Sequence, residues 1–209
     1  MKIREYYDTY KIHQVYNNPT DYPIIEKITN MHKSGDHFSL NLFLQSFTTE
    51  RLEEIASSIN MDCSLLDLFC RAGLDPHHNN DRQLIVQASW DSDTLQRLLD
   101  IGADPNTTNG APLIVAIYNG KLQSIATLLK AGANITEEII NAAVLSYNPN
   151  ILDLLINNGA DPNLCLKNTL LMMNIGNPNY QINQLFYVIN KYKPSYDVVM
   201  NTLFDNIKK

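Results

Sequence analysis

The side chains able to do chemistry are few, and their spacing decides what that chemistry could be. Five histidines include one adjacent pair, His77-His78, followed by Asn79-Asn80-Asp81. Two imidazoles and a carboxylate could begin a metal site. Adjacent side chains on extended backbone point apart, however, and no Cys or His stands at a further ligand spacing. The three cysteines, Cys63, Cys70 and Cys165, form neither a Cys-x-x-Cys pair nor an even set, which argues against a disulfide or zinc framework and for a reducing compartment. Cys63 and Cys70 lie seven residues apart on one predicted helix, where a small apolar side chain packs, so both are expected to be buried. Cys165 falls in a predicted hairpin and is expected to be exposed, with no base or helix start beside it to activate the thiol. The chain has no phosphate-cradling loop, dinucleotide fingerprint or nucleophile elbow. The expectation is a protein that is not an enzyme and takes neither cofactor nor metal.

The elements that carry these residues repeat. Leu68 to Pro76, Leu98 to Asn106, Leu128 to Ile135 and Leu155 to Asn163 align on glycines 73, 102, 132 and 159, spaced 29, 30 and 27 residues apart. Each reads as the apolar end of a helix, a Gly that terminates it with positive φ, then an Asp/Asn-led turn with Pro in three of the four. Upstream lie second apolar stretches, Leu84 to Ala88, Leu113 to Ile117 and Ile139 to Ala143. In the third unit Tyr118-Asn119-Gly120 connects two helices at 3.6-residue spacing. Helices this short are not stable alone, and the small Ala88, Ala116 and Ala142 let neighbours approach, so the units must stack. The expected fold is all-α, a helical solenoid.

The stretch from Asn109-Gly110-Ala111-Pro112-Leu113 to Leu128-Leu129-Lys130-Ala131-Gly132-Ala133-Asn134 resembles the ankyrin repeat, with its Gly-x-Thr-Pro-Leu-His-x-Ala and Leu-Leu-x-x-Gly-Ala-Asp-x-Asn pattern. The likeness is strongest over residues 98 to 163 and departs at the Thr-Pro-Leu-His positions, which read Ala111-Pro112-Leu113-Ile114 and Asn168-Thr169-Leu170-Leu171. It implies about five short repeats over 48–193, a Tyr-rich helical cap over 1–47 and a capping helix over 194–209. Between Gly132 and Thr136 the hairpin is expected to be missing, with Thr136 as N-cap. The resemblance also implies a concave face, made of hairpin tips and first-helix residues, that holds a protein partner. Carried over position by position, that face comprises Ser89 and Trp90, Tyr118 and Asn119, and the tips His78, Asn79, Asn80, Thr107, Thr108 and Asn109. Two other readings follow from the likeness: Asn106 and Asn163 stand where some ankyrin proteins are modified by asparaginyl hydroxylases, and Tyr22-Pro23-Ile24-Ile25-Glu26 is weakly similar to the start of an F-box. At Asn106 and Asn163 the simpler reading, an Asn bonded to its own turn, is favoured.

Composition supports the interaction reading. The 209 residues are 44% hydrophobic and 18% charged with net charge −6, enough for a packed core and adverse to nucleic acid, whose binding rests on Lys and Arg. The charge is −7 over residues 61–165 and +3 over 166–209, which favours a basic protein partner. The longest apolar run is far below the roughly 20 residues of a membrane span, and no apolar leader follows Met1. A cytoplasmic monomer is expected. Asn (25) and Ile (21) have AT-rich codons and suggest a low-GC genome, such as that of a large DNA virus, a phage or an intracellular bacterium capturing a host protein.

Overall fold

The computed structural model describes residues 21–90, 92–172, 186–193, 195, 197, 200 and 201. The Tyr-rich segment 1–20 and most of the expected capping helix, including Val199 and Leu203, lie outside them. Among the described residues every regular element is a helix: α1 (Tyr22–Lys33), α2 (His37–Leu44), α3 (Thr49–Ala56), α4 (Cys63–Arg71), α5 (His78–Gln87), α6 (Ser92–Asp100), α7 (Thr107–Tyr118), α8 (Leu122–Lys130), α9 (Glu137–Leu145), α10 (Pro149–Asn157) and α11 (Pro162–Met172), followed by helical residues 186–192. The chain divides into two compact units, Met1–Val115 and Ala116–Lys209.

Sequence accounts for where the helices begin. Thr48, Asp62, Thr136 and Asn148 each accept a backbone N–H of the first turn through the side chain, from Arg51, Leu65, Ile139 and Asn150, which satisfies donors that a helix start leaves open. Apolar residues then recur at helical spacing and are the ones buried: Leu52, Ile55 and Ala56 on α3, Leu65, Leu66 and Phe69 on α4, Ile125, Leu128 and Leu129 on α8, and Ile151, Leu152 and Leu155 on α10.

The helix ends share one device. Gly73, Gly102, Gly132 and Gly159 have φ of 112°, 103°, 93° and 105°. Each donates its N–H to the carbonyl three residues back, and the residue after it donates five back, as in Gly132 to Leu129 (3.1 Å) and Ala133 to Leu128 (3.0 Å). The residue after the glycine is buried each time, as Leu74, Ala103, Ala133 and Ala160, so the bond pair turns the chain and plants its next side chain in the core.

Packing follows the repeat within each unit. In the first, α5 lies against its pair partner α6, and α6 against α4, the second helix one repeat earlier. In the second, α9 packs on α10, α10 on α8, and α9 on α11. The amino-terminal pair α1 and α2 contact each other, and α2 contacts α4. Asp21, at the N-cap of α1, gives no capping bond and is instead gripped by both terminal nitrogens of Arg51, which also holds Glu54 at 2.6 Å. This pair is only partly covered: Ile28, Leu40 and Leu44 are buried, while Phe38 and Leu42 on α2 stand 77% and 53% exposed.

The structure corrects the expected hairpins. Only the absence at Gly132–Thr136 was expected, and there α9 does begin at Glu137 with Thr136 as its N-cap. At 77–81 and 107–109, however, the chain also makes no hairpin but a tight turn through left-handed backbone, because the residues after Asp75-Pro76 and Asp104-Pro105 are too few for two paired strands. Asp75 and Asp104 accept the N–H two residues on, at 3.0 and 2.9 Å, and lead straight into the next helix.

Gly132→Ala should destabilise the protein by about 1–2 kcal/mol, because φ of 93° strains any L-residue although no atom lies within 4 Å of the added Cβ. Urea denaturation checks this, and an unchanged midpoint would mean that the turn accepts a right-handed backbone.

Candidate functional site

In the first unit the expected hairpin tips become two left-handed turns. Asn80 and Asp81 have φ of 58° and 54°, and Thr108, Asn109 and Gly110 have 49°, 58° and 80°. Asp81 aligns with Gly110, so an L-residue occupies a backbone conformation that costs it about 1–2 kcal/mol. Its carboxylate offsets that strain by accepting His77 Nδ1–H at 2.8 Å and, from the next repeat, the Asp104 N–H at 3.1 Å. The turns are joined again where Thr107 Oγ1 donates to Asn80 O at 2.6 Å. His78 Nδ1 lies 3.4 Å from Glu53 Oε1, an ion-pair distance longer than a hydrogen bond. The His77-His78 pair is thus engaged with two carboxylates on different elements.

Of the sequence-predicted contact residues in this unit, His78, Asn80, Thr108 and Asn109 are exposed and Trp90 is half-buried. The Asn79 side chain lies outside the described residues. Two expectations are corrected. Ser89 is buried, its hydroxyl donating to Val86 O at 2.8 Å in the turn that ends α5, and Thr107 is buried by its bond to Asn80. Both hydroxyls complete backbone that has no water to turn to. Trp90 follows the carboxyl end of α5 while His78 opens it, so the two stand at opposite ends of that element.

In the second unit Tyr118, half-buried, ends α7, and Asn119, exposed, begins the turn to α8. Further on, Cys165 is corrected: it is fully buried in α11, and burial, followed by the charge of Asp161, pushes its thiol up to about 12. The loop expected there is absent because Leu166 and Lys167 stand where Asn109 and Gly110 stand two repeats earlier. With no residue suited to positive φ, the backbone stays right-handed and the helix runs unbroken from Pro162. Asn163 N–H donates to Asp161 Oδ1 at 2.9 Å, and its amide oxygen accepts the Ser195 N–H at 3.0 Å. Cys63 and Cys70 lie on α4 as expected but are half-buried, and burial, then Asp67, raises the Cys70 thiol above its ordinary value.

Two clusters escaped the sequence reading. A cleft of about 430 Å³ lies beside His32, whose Nε2 is 2.8 Å from Asp62 Oδ2. That carboxylate already caps α4, and the His32 ring stacks on His37 at 5.5 Å and 15°, an arrangement in which the two imidazoles cannot converge on one ion. Burial opposes the charge of Asp62, and the His32 bond with the Leu65 and Ser64 N–H groups outweighs it, lowering its pKa. In the second unit Asp153 on α10 accepts Tyr187 and Tyr192 hydroxyls and the Lys191 ammonium, and Lys191 lies 2.8 Å from the Tyr187 oxygen. Burial raises the Asp153 pKa, but these donors, Lys191 first, hold it below the usual carboxylate range; burial and then Asp153 push Tyr192 up to about 12. Neither cluster has a residue-spacing motif. The one available signal was Asp62, in an N-cap position before Cys-Ser-Leu-Leu.

Comparison with protein-family models, with curated proteins and with solved structures finds no match. Among the described residues no three metal-ligating side chains gather, and no helix is long and apolar enough to cross a membrane.

Asp81→Ala keeps the left-handed backbone and loses both carboxylate bonds, so it should cost about 2 kcal/mol; Asp81→Gly, which relieves the strain, should cost about 1 kcal/mol less. Equal losses on thermal denaturation would show that the turn is unstrained. Asp153 has a lower pKa folded than unfolded, so its contribution is complete at neutral pH and disappears as pH falls through the folded value, below the ordinary carboxylate range. Asp153→Asn should therefore flatten the acid dependence of local stability over residues 186–192, measured as amide-exchange protection factors between pH 3 and 7.

Proposed function

We propose that the chain is a protein-interaction module of the ankyrin-repeat type, a stack of short helix pairs with atypical helical covers, and that it works by holding a protein partner rather than by catalysis. The observation that carries this reading is the placement of its single Trp. Leu, Ile and Ala fill the core, while Trp90 stands half-buried in a helix-to-helix turn. A large, fairly rigid side chain with a polar edge in that position is the usual anchor of an interface.

Placement supports a macromolecular partner. A face containing both Trp90 and the turns at His78, Asn80, Thr108 and Asn109 draws on both ends of α5, a spread suited to a protein surface. Tyr118 and Asn119 are proposed as the corresponding turn contact of the second unit. The side chains nearest to chemistry are committed elsewhere: Asp62 caps a helix, Asp81 joins two turns, and burial keeps the Cys165 thiol protonated. With net charge −6, a basic protein partner is steered towards the chain, and its association rate falls with added salt. The Asn- and Ile-rich composition suits a viral, phage or bacterial factor acting in a host cytoplasm.

Trp90→Ala should weaken binding of a purified partner by roughly thirtyfold, because truncating an anchor costs about 2 kcal/mol and 1.4 kcal/mol is about a factor of ten. The measurement is a titration by calorimetry, with circular dichroism verifying the variant's fold. An affinity indifferent to Trp90→Ala and to the Asn80→Ala/Asn109→Ala pair would overturn the proposed face.

A further inference from the structure

We propose that the helical segment 186–192 is a releasable latch, seated on α10 through the Asp153 side chain and able to leave while the helices beneath it stay folded. Its attachment differs in kind from that of the repeat helices. On α9, Ile139, Ile140, Ala142, Ala143 and Val144 are all buried, whereas in 186–192 only Val188 is, and Phe186 at its start is 57% exposed. What holds the segment is polar: Tyr187, Lys191 and Tyr192 converge on Asp153, a half-buried side chain on α10, 34 to 39 residues earlier.

Tyr187 and Lys191 are one helical turn apart and share a face, and Tyr192, the last residue of the helix, reaches the same acceptor. Among the described residues, a single carboxylate thus receives all three of these bonds. The left-handed Lys193, φ 45°, ends the helix directly after this face, with its N–H on Ile189 O at 3.1 Å. Beyond it Ser195 N–H makes a separate bond to Asn163 on α11. An element with one buried apolar side chain and partly exposed charged bonds belongs to the low end of the local-stability range, where opening occurs without global unfolding. The depressed pKa of Asp153 fits a carboxylate whose charge is spent on the segment.

The test is amide hydrogen exchange of the full chain, resolved by mass spectrometry. In the wild type, protection factors over 186–192 should be at least tenfold below those over 139–144. Asp153→Asn should lower the 186–192 values a further tenfold or more and leave 139–144 unchanged. Tyr187→Phe with Tyr192→Phe, which retains every charge, should lower them about threefold. Common protection in the wild type, or parallel loss in both regions of the Asp153→Asn variant, would make the segment part of the core and overturn the proposal. So would 186–192 protection that neither variant alters.

Discussion

The glycine that closes each second helix is the constraint on which the repeats depend. Its positive φ allows two N–H groups to return to the last turn, and the chain leaves the helix in a fixed direction with its next side chain already buried. Helices of eight to twelve residues hold no stability of their own. They persist because each bond pair delivers the chain to a neighbour that covers the exposed apolar stripe. The small residues Ala88, Ala116 and Ala142 are among those buried in this way.

Side-chain bonds between elements obey the same spacing. In the first unit Arg82 to Ser57, Thr107 to Asn80, Gln87 to Ile59 and Thr94 to Met61 join residues 25, 27, 28 and 33 apart, close to the 27 to 30 of the glycine spacing. Each links one repeat to the one before. They are diverse because each was built on a local need, such as completing the carbonyls of Ile59 and Met61 where α3 gives way to α4. Gln87 occupies a position where other repeats carry alanine, and it is fully buried with its amide nitrogen 3.5 Å from Ile59 O.

The helical class and the helix ends were legible in the sequence because they follow from local rules: apolar spacing, capping side chains and glycine. Thr136 illustrates this, since its N-cap role needs only three residues of context. The turns were misread for an equally physical reason. Asp-Pro followed by polar residues signals a loop, but whether six residues fold back or wind into helix depends on a positive-φ residue at the right place. Asn109-Gly110 supplies one, Asp81 takes the role by virtue of bonds to a different repeat, and Leu166-Lys167 cannot. Cys165 went from a loop to the core on that difference alone. The His32–Asp62 and Asp153 clusters were invisible because their members are 30 and 34 to 39 residues apart, with nothing in either strip of sequence that names the other.

Because each junction is closed by a different set of bonds, the repeats carry their own order. Thr107 fits against Asn80, and Asp104 against Asp81, only when these particular repeats are neighbours. Duplicating a unit by copying about thirty codons would preserve its helices and yet place unmatched polar groups at the new seam between the two copies. A gene of this kind therefore resists duplication and deletion of its repeats as well as shuffling, and the sequence of turns along it is a heritable address written in hydrogen bonds.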